Sequence, residues 1–396
     1  MKNILGEDIM ILIKNAKKVF TMDQHQYLEN VDLLIEDGKI KEIGKQITVN
    51  GDVKIIDATD QYVYPGFIDA HCHLGLFEDA IGFEGTDVNE MTNPITSEVR
   101  AIDGINPLDR TFEEARQNGV TTVATGPGSA NVVGGTFAAI KTYGRRVDDM
   151  IIKSPIAMKC AFGENPKRVY HSKNQSPVTR MAIASKLRET LFKAKEYIQK
   201  KEAANGDPSK LPAFDLKYEA FIPVFNKEIP LKAHAHRADD LFTAIRIAKE
   251  FDLKLTLEHA TDGHLIADIL AKEGYPAVVG PSFGNRSKFE LKNKSFVTPG
   301  ILQRAGVKVA IMTDSPVIPQ EALNMCAQYA VNAGMDSYEA LKAITINPAE
   351  ILGIQDRVGS LEVGKDADIV IWNGDALNIS HKVFYTIMNG EIVYQA

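Results

Sequence analysis

Between Val63 and Ser315 the chain alternates strand-like apolar runs with turns and helical stretches, and this limits the folds open to it more than any other feature. The runs VYPGFIDAHCHL, VTTVATGPG, FAAIKTYG, PIAMKCAFG, PLKAHAH, LKLTLEHA, PAVVGPS and VKVAIMTDS are eight strand candidates. Alternating β and α elements predict a parallel sheet. Eight such units in a segment of this length fit a (β/α)8 barrel of the TIM type. A doubly wound open sheet is the alternative, but no glycine-rich phosphate loop follows the first strand. Both chain ends are β-rich, and each carries a two-residue hairpin signal, Asp37-Gly38 and Asn389-Gly390. The expected class is therefore α/β, with a barrel over 65–355 and a small β-sandwich built jointly from 1–64 and 356–396.

Composition excludes several functions. The formal charge of -7 and the lack of a basic tract argue against a nucleic-acid or membrane-surface partner. Cys72, Cys160 and Cys326 are too few and too scattered for a disulfide framework. No apolar run approaches the roughly 18 residues of a transmembrane helix. The opening MKNILGEDIMILIKNAKKVF holds acids and no small-residue cleavage site, so a signal peptide is not expected and the cytoplasm is the expected location.

The chemistry shows in the histidines. Barrel active sites lie at the C-terminal ends of the strands. The first strand ends in His71-Cys72-His73, the fifth in His234-Ala235-His236, the sixth in His259 and the eighth in Asp314. Residues i and i+2 of a strand share a face, so His71 and His73 aim at one point. Three or more N/O ligands with an open position describe a catalytic metal site. His/carboxylate donors suit zinc, iron or manganese alike. The expected cofactor is a divalent metal, zinc foremost, one or two per chain.

The motifs PGFIDAHCHLG, EHATDGH, MTDSP and GSLEVGKDADIVIWN together resemble the amidohydrolase superfamily, in its branch similar to imidazolonepropionases and metal-dependent prolidases. The resemblance covers nearly the whole chain and implies the same barrel and composite sandwich. It implies His71 and His73 as ligands of a first metal, His234 and His259 as ligands of a second, and Asp314 beside the first metal and the attacking water. It also implies a bridging ligand on the fourth strand, PIAMKCAFGENPK, either a carboxylated Lys159 or Glu164. The implied reaction is hydrolysis of a C–N bond in a small-molecule substrate, with Asp314 as general base and then general acid. Homo-oligomers are common for this fold, and one is expected here.

One position departs from the pattern. Deaminase and imidazolonepropionase members look like HxxE on the fifth strand, but Arg237 stands three residues after His234. That weighs against the deaminase alternative; a non-catalytic scaffold is disfavoured because the ligand set is retained. Arg237 is instead a candidate to hold a substrate carboxylate. In a shifted register His236 would be the ligand and Asp239 its carboxylate partner. His264 is a further candidate for substrate contact, and Tyr143, ending the third strand beside Lys141, a candidate oxyanion donor. The acidic stretch from Leu74 to Arg110 is a candidate lid. The glycines of 126–135 are candidates for anion binding or a tight turn.

Overall fold

A computed structural model describes residues 10–396. The first nine residues of the 1–64 sandwich segment lie outside the described residues. The N-terminal strands are β1 (Met10–Phe20), β2 (Tyr27–Glu36), β3 (Lys39–Gly44), β4 (Val53–Asp57) and β5 (Tyr62–Pro65). The central strands are β6 (Phe67–Cys72), β7 (Val120–Thr125), β8 (Val133–Lys141), β9 (Ile151–Ala161), β10 (Leu231–Ala235), β11 (Leu255–His259), β12 (Ala277–Val279) and β13 (Val309–Ile311). The chain closes with β14 (Ile369–Trp372), β15 (Val383–Met388) and β16 (Glu391–Gln395).

The terminal strands form one sheet, ordered β16-β15-β14-β5-β1-β2-β3, with β4 branching from β1. Both hairpins form as their sequences predict. Asp37 and Gly38 have φ of 51° and 74°, the two positive values a type I′ turn requires. Asn389 and Gly390, at 47° and 75°, repeat the geometry. A Cβ on Gly390 would lie 2.9 Å from the Gly38 Cα, so the two turns touch and tie the chain's ends together. Ile13, Leu33 and Ile35 from one end pack with Ile369, Ile371 and Ile387 from the other.

The central strands lie side by side in sequence order from β6 to β13. The seam between first and last is spanned by buried Asp69. One of its oxygens accepts the His71 N–H at 3.0 Å; the other accepts the Thr313 N–H at 3.0 Å, the Thr313 hydroxyl at 2.6 Å and Gln320 Nε2 at 2.9 Å. The His73 N–H donates to Ser315 O across the same seam at 2.9 Å. The result is the α/β barrel with an attached terminal sheet. No helix among the described residues is long and apolar enough to cross a membrane.

One strand departs from expectation. β8 runs antiparallel to both β7 and β9, with Thr122 opposite Lys141 and Val133 opposite Cys160. Only seven residues, 126–132, join β7 to β8. A parallel return needs a crossover of a dozen or more residues, so the chain can only fold back as a hairpin. The end of β8 therefore lies at the opposite mouth of the barrel from the histidines, which corrects the placement of Lys141 and Tyr143. The Tyr143 hydroxyl donates to Glu391 on β16 at 3.0 Å. Lys141, 4% exposed, is paired with Asp366 at 3.1 Å and with Asp368, locking barrel to terminal sheet.

That lock is testable. Lys141→Met leaves Asp368 buried without its cation, and removing one partner of a buried pair costs about 3–5 kcal/mol. Urea unfolding should show a loss of that size; an unchanged midpoint would mean that the lock contributes nothing.

Candidate metal centre

The side chains that gather at the barrel mouth come from four strands and two loops. His71, His73 and Asp314 form one group, and His234, His236 and His259 form another; in each, the donor atoms lie within 4.8 Å of one another. The groups adjoin, with the His71 and His259 rings 5.4 Å apart. Two of these residues sit where the strand alternation breaks. His259 has φ of 71°, followed by Ala260 at 45°, and Asp314 has φ of 56°. Positive φ in residues other than glycine is costly and clusters at functional sites. At His259 it lets two successive residues, Glu258 and His259, both approach His71.

The hydrogen bonds fix the imidazole tautomers. His73 Nδ1 meets Gly126 O at 2.7 Å and His259 Nδ1 meets Gly280 O at 2.8 Å. A carbonyl can only accept, so each Nδ1 carries the proton and leaves the Nε2 lone pair for a metal. His71 Nδ1 meets Glu258 Oε2 at 2.7 Å, and His236 Nδ1 meets Thr261 Oγ1 at 2.8 Å. His236 Nε2 is buried without a hydrogen-bond partner. An orphaned imidazole nitrogen among three converging histidines fits a cation better than solvent.

The electrostatics favour neutral rings. Burial drives His71, His234 and His236 well below the ordinary 6.5 and takes His259 down to about 3, with Lys159 adding to the effect on all four. For Asp314, burial acts upward, but His259, His73 and Lys159 outweigh it and leave its carboxyl below the ordinary range. Asp314 Oδ1 lies 3.3 Å from His73 Nε2 and 3.6 Å from His71 Nε2.

Of the two fourth-strand candidates, Lys159 reaches the centre: it is fully buried, and its Nζ lies 3.0 Å from His71 Nε2. Burial pulls its ammonium down to about 8, against the opposing pull of Asp314 and Glu258. Glu164 opens the helix Glu164–His171, and its backbone N–H donates to Glu290 Oε2 at 2.9 Å. No side-chain bond draws it toward the histidines.

The remaining candidates divide. His236 joins the centre alongside His234, so both histidines of that strand end converge. Arg237 is turned away into a paired contact with Asp239, at 2.9 and 2.8 Å, which also removes Asp239 as the partner of His236. His264 Nδ1 pairs with Thr298 Oγ1 at 3.0 Å. Neither Arg237 nor His264 lines the cavity of about 170 Å³ that opens onto His236, His259 and Asp314, whose walls include Lys288, Lys294 and Phe283. Gly126 is required by packing, because a Cβ there would sit 2.2 Å from the Phe137 ring. The 74–110 stretch is anchored to the barrel through bridges from Ile95 to Val133 and from Arg100 to Thr136, leaving Phe83 at its exposed tip.

Three buried groups at the centre escaped the sequence reading. Glu258 receives His71 Nδ1, Lys232 Nζ at 2.7 Å and the Thr256 hydroxyl at 2.5 Å. Lys232 stands two residues before His234, on the same strand face, and that parity was the available signal. Glu290 approaches from the loop after β12, where no strand periodicity could announce it.

Comparison with known proteins shows the family. The amidohydrolase family model matches residues 62–394, and the chain belongs to that family. The crystal structure of an amidohydrolase from Thermotoga maritima MSB8 is 43% identical, covers 98% of this chain and 100% of its own, and superposes with a TM-score of 0.94. The imidazolonepropionase of Pseudomonas putida (strain GB-1) is 27% identical, with 89% of this chain and 90% of that protein aligned. Amidohydrolase tasK of Hapsidospora irregularis is 29% identical over 88% of this chain, which spans 38% of that longer protein. These relatives place the chain in the imidazolonepropionase-like branch, as a hydrolase acting on carbon–nitrogen bonds.

Proposed function

We propose that this chain is a metal-dependent amidohydrolase that cleaves a cyclic amide, N-acyl or peptide-like C–N bond of a small molecule, with residues 65–355 as its catalytic unit. The observation that carries the reading is the pair of converging donor groups, with the Nδ1 atoms of His71, His73 and His259 held by carboxylate or carbonyl acceptors. His71, His73 and Asp314 would hold one divalent ion, and His234, His236 and His259 a second. Lys159, beside His71, would join them as its carbamate. When bound, the metal polarises the carbonyl and makes water a competent nucleophile near neutral pH.

The protein's own part is proton handling and placement. Asp314, ionised at the outset and facing the cavity, takes the proton from the attacking water and returns it to the leaving nitrogen. Glu258 holds the His71 ring and its tautomer. Lys232, bound to Glu258 and to Ala70 O at 2.9 Å, holds that carboxylate in place.

The test is metal content together with a screen of cyclic amides, N-acyl amino acids and dipeptides. The expected result is two divalent ions per chain and hydrolysis within one of these classes. Chelation should abolish activity, and added Zn²⁺, Mn²⁺ or Fe²⁺ should restore it. Full activity in metal-free protein would sink the reading. Ammonia as the sole leaving product would move the protein to the deaminases.

A further inference from the structure

The carboxylate missing three residues after His234 has a counterpart elsewhere in the chain. Glu290, in the short turn Phe289–Leu291 of the loop after β12, is 1% exposed. Its two oxygens have unlike surroundings. Oε2 accepts the Glu164 N–H at 2.9 Å. Oε1 has only Lys288 Nζ at 3.4 Å, His236 Nε2 at 3.7 Å and His234 Nε2 at 4.0 Å. Charge-assisted hydrogen bonds run at about 2.7–2.9 Å, so the one from Lys288 is long and weak and the two histidine contacts are not hydrogen bonds. A buried carboxylate oxygen with a single long hydrogen bond is poorly compensated, and the His236 Nε2 facing it has no partner at all.

Both costs disappear if the two atoms share a cation. Ligands about 2.0–2.1 Å from one zinc ion lie roughly 3.3–4.1 Å apart, depending on the angle between them. We propose that Glu290 Oε1 is the fourth protein ligand of a divalent cation held by His234, His236 and His259. This rests on the metal-dependent reading above and goes beyond it: the seventh strand's loop supplies a ligand. The loop is braced for such a role. Lys294 Nζ donates to Phe283 O at 2.9 Å and Asn285 O at 2.7 Å, and Arg286 Nη2 donates to Lys294 O at 3.0 Å. The carboxylate also offsets part of the charge that three neutral imidazoles cannot.

The experiment titrates metal-free protein with Zn²⁺ against a chromophoric chelator and records the visible spectrum of the Co²⁺ form. Wild type should take two ions per chain. Glu290→Gln should keep one tightly and bind the other on the order of 10–100-fold more weakly, with a changed Co²⁺ spectrum. Lys288→Gln should leave both affinities within a few-fold of wild type. Two ions of unaltered affinity and an unaltered spectrum in Glu290→Gln would overturn the proposal. So would equal weakening in Lys288→Gln, which would make the pair a loop brace. Should Glu290→Gln fail to fold, Glu290→Asp retains the charge but withdraws the ligand by one methylene, and the same criteria apply. A wild type that binds no metal would instead overturn the metal-dependent reading itself.

Discussion

Replacing Asp314 by asparagine should lower turnover by about 10²–10⁴-fold, the range that a single positioned acid–base group contributes. Asparagine keeps the size and the left-handed backbone position, for which it is among the best-suited residues, so the fold should survive. What it loses is the proton carrier. Asp314 lies beside His73 and His71 and also lines the cavity, so its carboxylate can face metal and substrate together. The loss should therefore fall on kcat more than on KM, as for an interaction made mainly in the transition state. Metal content measured in parallel separates a lost ligand from a lost proton carrier. Tyr143→Phe, at the other mouth of the barrel, is the matched control and should turn over like wild type. An Asp314→Asn variant with full metal and activity within tenfold of wild type would remove Asp314 from the mechanism.

That control exists because the sequence read one strand in the wrong direction. Strand existence follows from local apolar content, and both hairpins followed from two-residue turn chemistry. Direction follows from connection length, and the seven residues before β8 carried that signal in full. The site was legible where its ligands obey strand periodicity, as His71 with His73 and His234 with His236 do. It was legible also at the strand ends that carry His259 and Asp314, but not at Glu258, which lies just before the backbone leaves that periodicity. Glu258 and His259 are adjacent in sequence, so strict alternation would send them to opposite faces; the positive φ at His259 and Ala260 brings both near His71. The choice between Lys159 and Glu164 was likewise tertiary. Gly163, at φ of 82°, ends the strand and starts a helix, and the turn carries Glu164 toward Glu290 while Lys159 stays inside the barrel. Glu290 itself lies 31 residues beyond His259, in a loop whose path only the fold defines.

The same buried histidines make stability steeply dependent on acid. His71, His234 and His236 are held well below 6.5 and His259 is at about 3, in each case chiefly by burial. All four are neutral in the native state, whereas in the unfolded chain each takes a proton near pH 6.5. Their contribution is therefore fully present only well above pH 6.5, begins to fall as pH approaches 6.5 and is lost progressively toward the folded values. Each proton bound only by the unfolded chain tilts the unfolding free energy by about 1.4 kcal/mol per pH unit, so four approach about 5 kcal/mol per unit. Asp240, pushed up to about 6 by burial, and Asp69, raised in the same way, act in the opposite sense at lower pH. They offset at most two of the four, leaving roughly 3–5 kcal/mol per unit. Metal-free protein is the right sample, because bound metal also demands neutral imidazoles and would steepen the same slope. Urea midpoints should fall sharply between pH 6.5 and 5.5 and by only about a third as much between 7.5 and 6.5. A level response across the whole range would mean that the four rings are not held neutral together in the native state.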